Sequence, residues 1–322
     1  MRYKAEDCVD LSQSYTNELA EPPDYSRDVT TLVTDYLTAL RKQVMKTLES
    51  QYGREVVKAM RIDWVITSPA VWSARAKDDT LRCAEKAGMG GASKVTITSE
   101  PEAAAAYALQ TIEPLTVKPG NSIVICDAGG GTVDLITYKI NSLRPLEVEE
   151  CAIPSGGKCG GVFVNRIFEK MVENRLGRNS GLTDLGKHQL LAHFDTYAKR
   201  DFADSGDLNE EWYLPAAGAK NNSAARVSGG NLQMTADGKF VSIACSLGLF
   251  LTRLLDMRKC FDPVVQEVVS LVQRQIANAS GEKGKTTVSA VLLVGGFGES
   301  RYLRKRLEKA IAPISLLCPP NG

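Results

Sequence analysis

The sequence has few histidines, almost no net charge and no long apolar runs. Each of these absences argues against a class of protein. Its two histidines, His188 and His193, lie five residues apart and lack the spacing of metal ligands. The 39 basic and 38 acidic residues nearly cancel, which gives no support for a nucleic-acid partner. No stretch is apolar for long enough to span a bilayer, and no apolar segment follows the first methionine. We therefore expect a cytoplasmic protein that binds neither nucleic acid nor membrane.

The eight cysteines are scattered along the sequence, and no two of them form a Cys-x-x-Cys pair. Cys126 and Cys245, for example, lie inside apolar runs. This placement favours buried thiols in a reducing compartment over a disulfide framework or a zinc site.

The apolar periodicity predicts an α/β fold. The 322 residues exceed the limit of about 250–300 for one hydrophobic core, so we expect two lobes. Strand patterns alternate with helical spacing along the chain, which is typical of α/β folds. The predicted helices are 30–50, 73–87, a segment starting at 101, 163–176, 185–202, 247–279 with an interruption near 261–263, and 300–311. The predicted strands are 62–67, 95–98, two within 123–140, 148–153 and 289–294, with short strand-like pieces between 203 and 240.

The most informative segment is the glycine-rich turn 127–134, which reads Asp-Ala-Gly-Gly-Gly-Thr-Val-Asp. The apolar run 123–126 before it predicts a buried strand. Three consecutive glycines leave no Cβ in the turn, so backbone N–H groups can approach an anion closely. Asp127 and Asp134 add carboxylates for a hydrated Mg²⁺, and Thr132 adds a hydroxyl. The turn therefore predicts a site for a nucleoside triphosphate, with a β-hairpin that has a plain glycine turn as the alternative.

The glycine-rich turn resembles the second phosphate loop of the actin-like ATPases, a superfamily of heat-shock-70 chaperones, actins and sugar kinases. Four further segments resemble motifs of the heat-shock-70 branch, in the same order. They are the strand-to-helix entry 66–72 (Ile-Thr-Ser-Pro-Ala-Val-Trp), the connecting motif 100–106 (Glu-Pro-Glu-Ala-Ala-Ala-Ala), the segment 160–165 (Gly-Gly-Val-Phe-Val-Asn) and the adenosine motif 291–301 (Val-Leu-Leu-Val-Gly-Gly-Phe-Gly-Glu-Ser-Arg). The adenosine motif and Trp72 are closest in style to the divergent heat-shock-protein-12-like branch. The resemblance implies an actin-like, ribonuclease-H-like fold of two lobes around a nucleotide cleft.

The resemblance also implies roles for individual residues toward ATP or ADP and Mg²⁺. Asp127 and Asp134 would hold Mg²⁺ through water, and Asp127 together with Glu100 would be catalytic. An N-terminal capping acid is the alternative for Glu100. The residues expected to bind the phosphates are Gly129, Gly130, Gly131, Thr132, Gly160 and Gly161. Close packing of a helix is the alternative role for Gly160 and Gly161.

A further set of residues is implied around the adenosine. Lys199 and Arg200 resemble the end of a Glu-x-x-Lys-Arg clamp, whose acid falls on Thr196 in this sequence. Because threonine is not an acid, one contact to the ribose is missing from the pattern. The residues expected to flank the adenine are Gly295, Gly296 and Arg301.

The sequence lacks two parts of the family pattern. The first phosphate loop, Asp-x-Gly-Thr-Thr or similar, has no counterpart before Ile62, and no lysine stands in for the catalytic one of that lobe. The chain also stops about one βα unit after the adenosine motif. We therefore expect a domain truncated at both ends, with apolar surface exposed there. The expected divisions are a polar segment 1–28, a remnant of the first lobe 29–112 and the second lobe 113–322, whose outer subdomain covers about 166–255.

Three functions are open from the sequence. The first is an ATP-binding, heat-shock-70-like, chaperone-like domain whose hydrolysis is weak or lost, because phosphoryl transfer depends on positioning that the absent loop and lysine supply. The second is a non-catalytic pseudo-ATPase that serves as an interaction module. The third is a sugar or acetate kinase of the same superfamily. Besides the nucleotide, the expected partners are co-chaperones or another protein that covers the truncated edges.

Overall fold

The computed structural model describes residues 8–10, 28–69, 72–91, 94–111, 117–177, 179–203, 205, 210–236, 240–245, 248–253, 257–280 and 287–319. These residues form two compact units. The first unit ends at Tyr107, and the second contains Ala108 onward together with the strand β1 (Cys8–Asp10). The expected boundary at residue 112 and most of the expected segment 1–28 lie outside the described residues, so the predicted domain division stays a prediction.

The first unit packs helices around a two-stranded parallel sheet. Its elements are α1 (Val29–Tyr52), α2 (Arg54–Ala59), β2 (Trp64–Ser68), α3 (Ala74–Lys86), β3 (Val95–Ser99) and α4 (Glu100–Thr111), which continues past the unit boundary. Asp28 caps α1 by accepting a hydrogen bond from the Thr30 amide at 3.1 Å, and Ser73 caps α3 in the same way for the Ala76 amide at 3.2 Å. The small core of this unit is formed by Leu37, Cys83, Ala84, Ala87, Met89 and Val95.

A six-stranded mixed sheet forms the centre of the second unit. Its strands, in spatial order, are β1, β6 (Leu146–Lys158), β5 (Val133–Leu143), β4 (Ser122–Ala128), β12 (Val288–Val294) and β13 (Ser315–Leu317). The strands β4, β5 and β6 are antiparallel neighbours, whereas β12 runs parallel to both β4 and β13. Asp127 of β4 is paired with Val294 of β12, so the carboxyl ends of these two strands lie side by side.

A buried amide fixes the long helix α8 (Met257–Ser280) on this sheet. Gln275 of α8 donates to the Thr137 hydroxyl at 3.0 Å and to the Ile153 carbonyl at 3.1 Å, and it accepts from the Ser155 hydroxyl at 2.7 Å. Because both ends of the amide have partners, its burial carries no uncompensated loss of hydration. The helices α5 (Gly161–Leu176) and α9 (Arg301–Ile311) pack beside α8.

The remaining elements of the second unit lie between α5 and α8 in sequence. The helix α6 (Asp184–His193) continues directly into a π-helical turn (Phe194–Ala198) and a final α-helical turn, α7 (Lys199–Asp201). A three-stranded antiparallel sheet follows, with β7 (Glu211–Pro215), β8 (Val227–Ser228) and β9 (Asn231–Thr235). The strands β10 (Phe240–Cys245) and β11 (Gly248–Arg253) then form a separate hairpin.

The predicted helix 247–279 is wrong in two respects. Its first part is the strand β11, because a short apolar run fits a strand as well as a helix, and periodicity alone does not separate them. Its second part continues through Pro263 without interruption. A proline inside a helix costs about 3 kcal/mol. Val264, Val265 and Val268 are fully buried beyond it, and each contributes about 1.5–3 kcal/mol through burial. Packing therefore outweighs the proline.

The other predicted helices and strands occur near their expected positions, and the α/β class is confirmed. β1 was not predicted; Cys8–Asp10 pairs in parallel with residues 156–158 of β6. Among the helices of the described residues, none is both long and apolar enough to cross a membrane.

Candidate functional site

The glycine-rich turn joins two antiparallel strands and brings two carboxylates opposite each other. Asp127 in β4 is paired directly with Asp134 in β5, so both side chains project from the same face of the sheet. Within the turn, the Gly129 amide donates to the Thr132 carbonyl at 2.9 Å, and the Thr132 hydroxyl donates to Asp134 Oδ2 at 3.0 Å. The backbone is thus that of a hairpin, and it carries the acids expected beside a phosphate-binding turn.

Burial acts on both carboxylates, and the negative charge of Asp127 acts in addition on Asp134. Burial raises the pKa of Asp127 above its ordinary value. Burial also raises the pKa of Asp134; the hydrogen bond from Thr132 opposes this shift, and the negative charge of Asp127 adds to it. A cation near the two carboxylates would favour their ionised forms. The pair is therefore an electrostatic environment suited to a positively charged ligand.

The N-terminus of α5 docks on the glycine-rich turn. Backbone amides at positions 160, 161 and 162 donate to three glycine carbonyls of the turn at 2.8–3.3 Å. A Cβ built on Gly160 would lie 2.4 Å from the Gly130 carbonyl oxygen, so the close approach requires glycine. In contrast, a Cβ on Gly130 or Gly131 would meet no atom within 4 Å. Those two glycines therefore leave open space above the turn instead of serving the packing.

A second glycine turn lies against the acid at the end of β4. Gly295 has a φ of +85°, and a Cβ built on it would lie 2.4 Å from Asp127 Oδ1. The 3₁₀ turn Gly296–Glu299 follows, and Ser300 then caps α9 by accepting from the Leu303 amide at 3.3 Å. In open α/β sheets, ligands bind outside the carboxyl ends of the strands. The ends of β4 and β12 are therefore the expected position of a ligand site.

A cavity of about 340 Å³ lies beside these turns, within the second unit. Small-molecule sites have volumes of about 300–1,000 Å³, so the cavity is large enough for a small ligand. Five of the predicted site residues line it: Gly130, Gly161, Lys199, Arg200 and Gly296. Further lining residues that were not predicted include Asn165, Asp195, Phe297 and Glu299.

The π-helical turn places an acid in this cavity. Lys199 Nζ donates to Asp195 Oδ1 at 2.9 Å, and Asn165 Nδ2 donates to the same oxygen at 2.8 Å. Thr196 is exposed, and its hydroxyl donates to the Ala192 carbonyl at 2.8 Å. A π-helical turn accommodates one residue more than an α-helical turn, so the acid and the lysine are separated by four positions instead of three. The acid beside Lys199 in the structure is therefore Asp195, whereas the sequence pattern places the clamp position on Thr196.

The Asp195–Lys199 pair is partly withdrawn from solvent. The Lys199 side chain is 14% exposed, and a Cβ on Gly161 would lie 3.2 Å from its Nζ. Burial lowers the pKa of Lys199; the hydrogen bond to Asp195 opposes that shift without cancelling it. For Asp195, burial raises the pKa, but the hydrogen bonds from Lys199 and Asn165 outweigh it and leave the pKa below its ordinary value. The cavity therefore contains an acid and a lysine that are hydrogen-bonded to each other and partly shielded from water.

Nine predicted site residues do not line the cavity; seven of them lie in or directly beside the two glycine turns, and Glu100 and Arg301 do not. Glu100 is the first residue of α4 and belongs to the other unit. The reciprocal capping bonds at the start of α4 are made by Ser99 and Glu102: the Ser99 amide donates to Glu102 Oε2 at 2.8 Å, and the Glu102 amide donates to Ser99 Oγ at 3.2 Å. Arg301 is the exposed first residue of α9. The roles assigned to Glu100 and Arg301 remain predictions.

The sequence contains only weak signals for the two polar cavity residues that were not predicted. Asn165 ends the Gly-Gly-Val-Phe-Val-Asn segment, but an asparagine at that place has no distinctive chemistry. Asp195 precedes Lys199 by four positions, a spacing that identifies it once one inserted residue is allowed. An insertion inside a helix is not visible in apolar periodicity, because one extra residue is absorbed by a single π-helical turn.

The acids present fit a magnesium–nucleotide complex better than a metal held by protein alone. Across the described ranges, no group of three or more His, Cys, Asp or Glu side chains is arranged to hold a metal ion. Mg²⁺ is usually held by one or two carboxylates, with water and phosphate oxygens as the other ligands. Asp127 and Asp134 supply such a pair, and the open space above Gly130 and Gly131 leaves room for phosphate groups.

Comparison with known proteins finds no matching family model, but curated proteins do match. Heat shock 70 kDa protein 12A of Homo sapiens is 26% identical over 196 residues, which cover 44% of this chain and 29% of the relative. Heat shock 70 kDa protein 12B of Homo sapiens is 22% identical over 318 residues, which cover 78% of this chain and 44% of the relative. Heat shock 70 kDa protein 12A of Mus musculus is 25% identical over 189 residues, which cover 42% and 28%, respectively.

The chain thus spans less than half the length of these curated relatives. The longest match covers 78% of the chain, and the α/β architecture agrees with the fold that the motifs imply. The chain is therefore a distant relative of the heat shock protein 70 family and has an α/β fold of the actin-like ATPase kind.

Proposed function

We propose that this chain binds ADP and ATP, together with Mg²⁺, in the cavity of its second unit. The observation that carries the proposal is the glycine-rich turn, which α5 holds in place while leaving open space above Gly130 and Gly131. The carboxylate pair Asp127–Asp134 lies at the base of this turn, and the Asp195–Lys199 pair lines the adjoining cavity. A nucleotide presents phosphates, a bound cation and a sugar, and these three groups match the three features.

We assign the phosphates to the glycine-rich turn and to the side chain of Lys199 beside it. Backbone amides of Gly130 and Gly131 suit phosphate oxygens because no Cβ hinders their approach, whereas the Gly129 amide already donates to the Thr132 carbonyl within the turn. The Lys199 ammonium lies beside Gly161, on the same wall of the cavity. Gly160 acts indirectly, since it allows α5 to hold the turn.

The sugar and the base are assigned to the walls formed by the π-helical and 3₁₀ turns. A carboxylate is an acceptor for ribose hydroxyl groups, and Asp195 is the acid that lines this part of the cavity. Gly296 and Arg200 line the same space and are assigned to the base.

Mg²⁺ would be held by Asp127 and Asp134 through water, and when bound it neutralises charge on the phosphate oxygens. The two acids would then orient the ion's water ligands. Thr132 holds Asp134 in place through its hydroxyl, at 3.0 Å.

For the 322-residue chain by itself, we expect binding with little or no hydrolysis. Catalysis of phosphoryl transfer consists mostly of positioning and electrostatic stabilisation. The sequence contains no Asp-x-Gly-Thr-Thr-like loop and no lysine that we assign to catalysis. Asp127 and Glu100 remain the candidates for any residual activity.

Isothermal titration calorimetry of the purified chain with Mg·ADP and Mg·ATP tests the proposal. We expect saturable binding that is weakened at least tenfold by Lys199→Met, because a charge-assisted hydrogen bond is worth about 1.5–3 kcal/mol. Lys170→Met is the matched control, since Lys170 lies exposed on α5 and outside the cavity lining. Absence of binding by the folded, unsubstituted chain would refute the proposal and leave the pseudo-ATPase alternative.

A further inference from the structure

We infer that Asn165 is a positioning residue that orients Asp195 toward the sugar hydroxyl groups of the bound nucleotide. The inference rests on the proposed function and deepens it. It assigns to Asn165 a role in discriminating ribose from deoxyribose.

Asn165 and Lys199 both act on a single oxygen of Asp195. The Asn165 Nδ2 group donates to Asp195 Oδ1 at 2.8 Å, and Lys199 Nζ donates to the same atom at 2.9 Å. These two donors come from different helices, α5 and α7, so together they fix both the position and the rotation of the carboxylate. The bonds to Oδ1 leave Oδ2 as the oxygen that can accept from a ligand. The Asp195 side chain is 49% exposed, so a ligand can reach it.

The amide of Asn165 keeps this orientation at a cost. Its Oδ1 is buried, and no hydrogen-bond donor among the described residues reaches it. A buried acceptor without a donor destabilises the folded state. Turning the amide over would place Oδ1 against the Asp195 carboxylate and lose the 2.8 Å bond. The carboxylate therefore sets the orientation of the amide, and the cost falls on the stability of the chain.

An unsatisfied buried group inside a candidate site indicates a functional constraint more strongly than one elsewhere. Asn165 lines the cavity, whereas Ser68 and Thr235, whose buried hydroxyls also have no donor or acceptor in the described part of the chain, do not. A role in stability alone would not favour asparagine at position 165, because an apolar side chain of similar size would have no buried acceptor without a donor.

Ribose is the group that the oriented Asp195 carboxylate would recognise. A carboxylate is only an acceptor, so it binds hydroxyl donors and gains nothing from a position where a hydroxyl is absent. If Asp195 is held in one orientation, it can accept from a hydroxyl at one position only. If Asp195 is free to rotate, it discriminates less between ribose and deoxyribose.

The test compares ADP, 2′-deoxy-ADP and 3′-deoxy-ADP, each with Mg²⁺, on the full chain. For the unsubstituted protein we expect at least one deoxy analogue to bind about tenfold more weakly than ADP. Asn165→Leu should reduce that discrimination to about threefold or less while leaving the melting temperature unchanged or higher. Thr196→Val, at the exposed neighbouring position, should change neither quantity.

A second variant separates positioning from packing by its pH dependence. In Asn165→Asp, the new carboxyl can donate to Asp195 only while it is protonated, so discrimination should be lost at pH 8 and partly restored toward pH 5. The charged groups facing that position are Asp195, Lys199, Arg200 and Glu299, of which the two acids disfavour a third carboxylate. A pH-independent result would contradict the positioning role.

The outcomes distinguish this inference from the proposed function. If the unsubstituted chain binds ADP but Asn165→Leu keeps the full discrimination, the inference is overturned and nucleotide binding stands. Equal affinity of the unsubstituted chain for all three ligands has the same meaning. A lowered melting temperature in Asn165→Leu with equal loss for all ligands would show a structural role only. No ADP binding by the unsubstituted chain overturns both.

Discussion

Replacing Asp127 by asparagine should stabilise the ligand-free chain and abolish its response to Mg·ADP. Asp127 faces Asp134 across the β4–β5 ladder, and burial raises the pKa of both. Like charges directly opposite each other in a sheet destabilise it by about 0.2–1 kcal/mol. One kcal/mol corresponds to about 2–4 °C in Tm for domains of roughly 150–250 residues. We therefore expect the substitution to raise Tm by up to about 4 °C in the absence of ligand.

The same variant should behave in the opposite way once ligand is added. A ligand at 100 times its Kd adds about 2.7 kcal/mol to the stability of the form that binds it, or roughly 5–11 °C in Tm. The unsubstituted chain should show this shift with Mg·ADP, and Asp127→Asn should not, because the substitution removes one of the two negative charges that would attract Mg²⁺ and its water ligands.

Differential scanning fluorimetry in EDTA and in Mg·ADP measures both effects. Glu147→Gln is the matched control, since it removes one negative charge from an exposed position of β6 in the same sheet. The control should keep the full ligand shift. Destabilisation of ligand-free Asp127→Asn, or a retained shift with Mg·ADP, would refute the account of the carboxylate pair.

Two further predictions concern the same turn. Gly160→Ala should lower the stability of the chain by about 1–3 kcal/mol, because the new Cβ would lie 2.4 Å from the Gly130 carbonyl oxygen. Gly130→Ala should leave Tm within about 2 °C but weaken ADP binding in calorimetry, since its Cβ would occupy the open space above the turn; equal Tm losses in the two variants would contradict this. Ligand-free stability should also depend on pH. Because the pKa values of Asp127 and Asp134 are raised on folding, the folded chain binds protons more tightly, and stability falls as pH rises from about 4 through the raised values and levels off above them. The advantage of Asp127→Asn in Tm should therefore vanish toward pH 4, and an advantage that persists there would contradict the electrostatic explanation.

Local signals predicted the part of the site that is contiguous in sequence. The apolar run before the glycines predicted β4, and the three glycines and two acids predicted the turn, because both depend on residues within about ten positions of each other. Gly160 and Gly161 were also identified by their motif. The contacts that make Gly160 obligatory are long-range, and only the structure shows them.

Elements that depend on tertiary packing were the ones predicted wrongly or not at all. The helix α8 runs through Pro263 because the buried valines beyond it outweigh the local cost. The strand β1 exists only through its pairing with β6, and its three residues carry no strand signal of their own. The strand β11 was predicted as helix because its apolar run fits both periods.

The sequence by itself determined that this chain is an α/β protein with a glycine-rich turn flanked by two carboxylates. Those features depend on residues that are close together in the sequence. Tertiary structure alone decided which acid enters the cavity beside Lys199. The single residue absorbed by the π-helical turn moves Thr196 to the surface and brings Asp195 against Asn165, a residue 30 positions away on another helix. Such a contact depends on how two helices pack, and packing is a property of the whole unit that no local pattern contains.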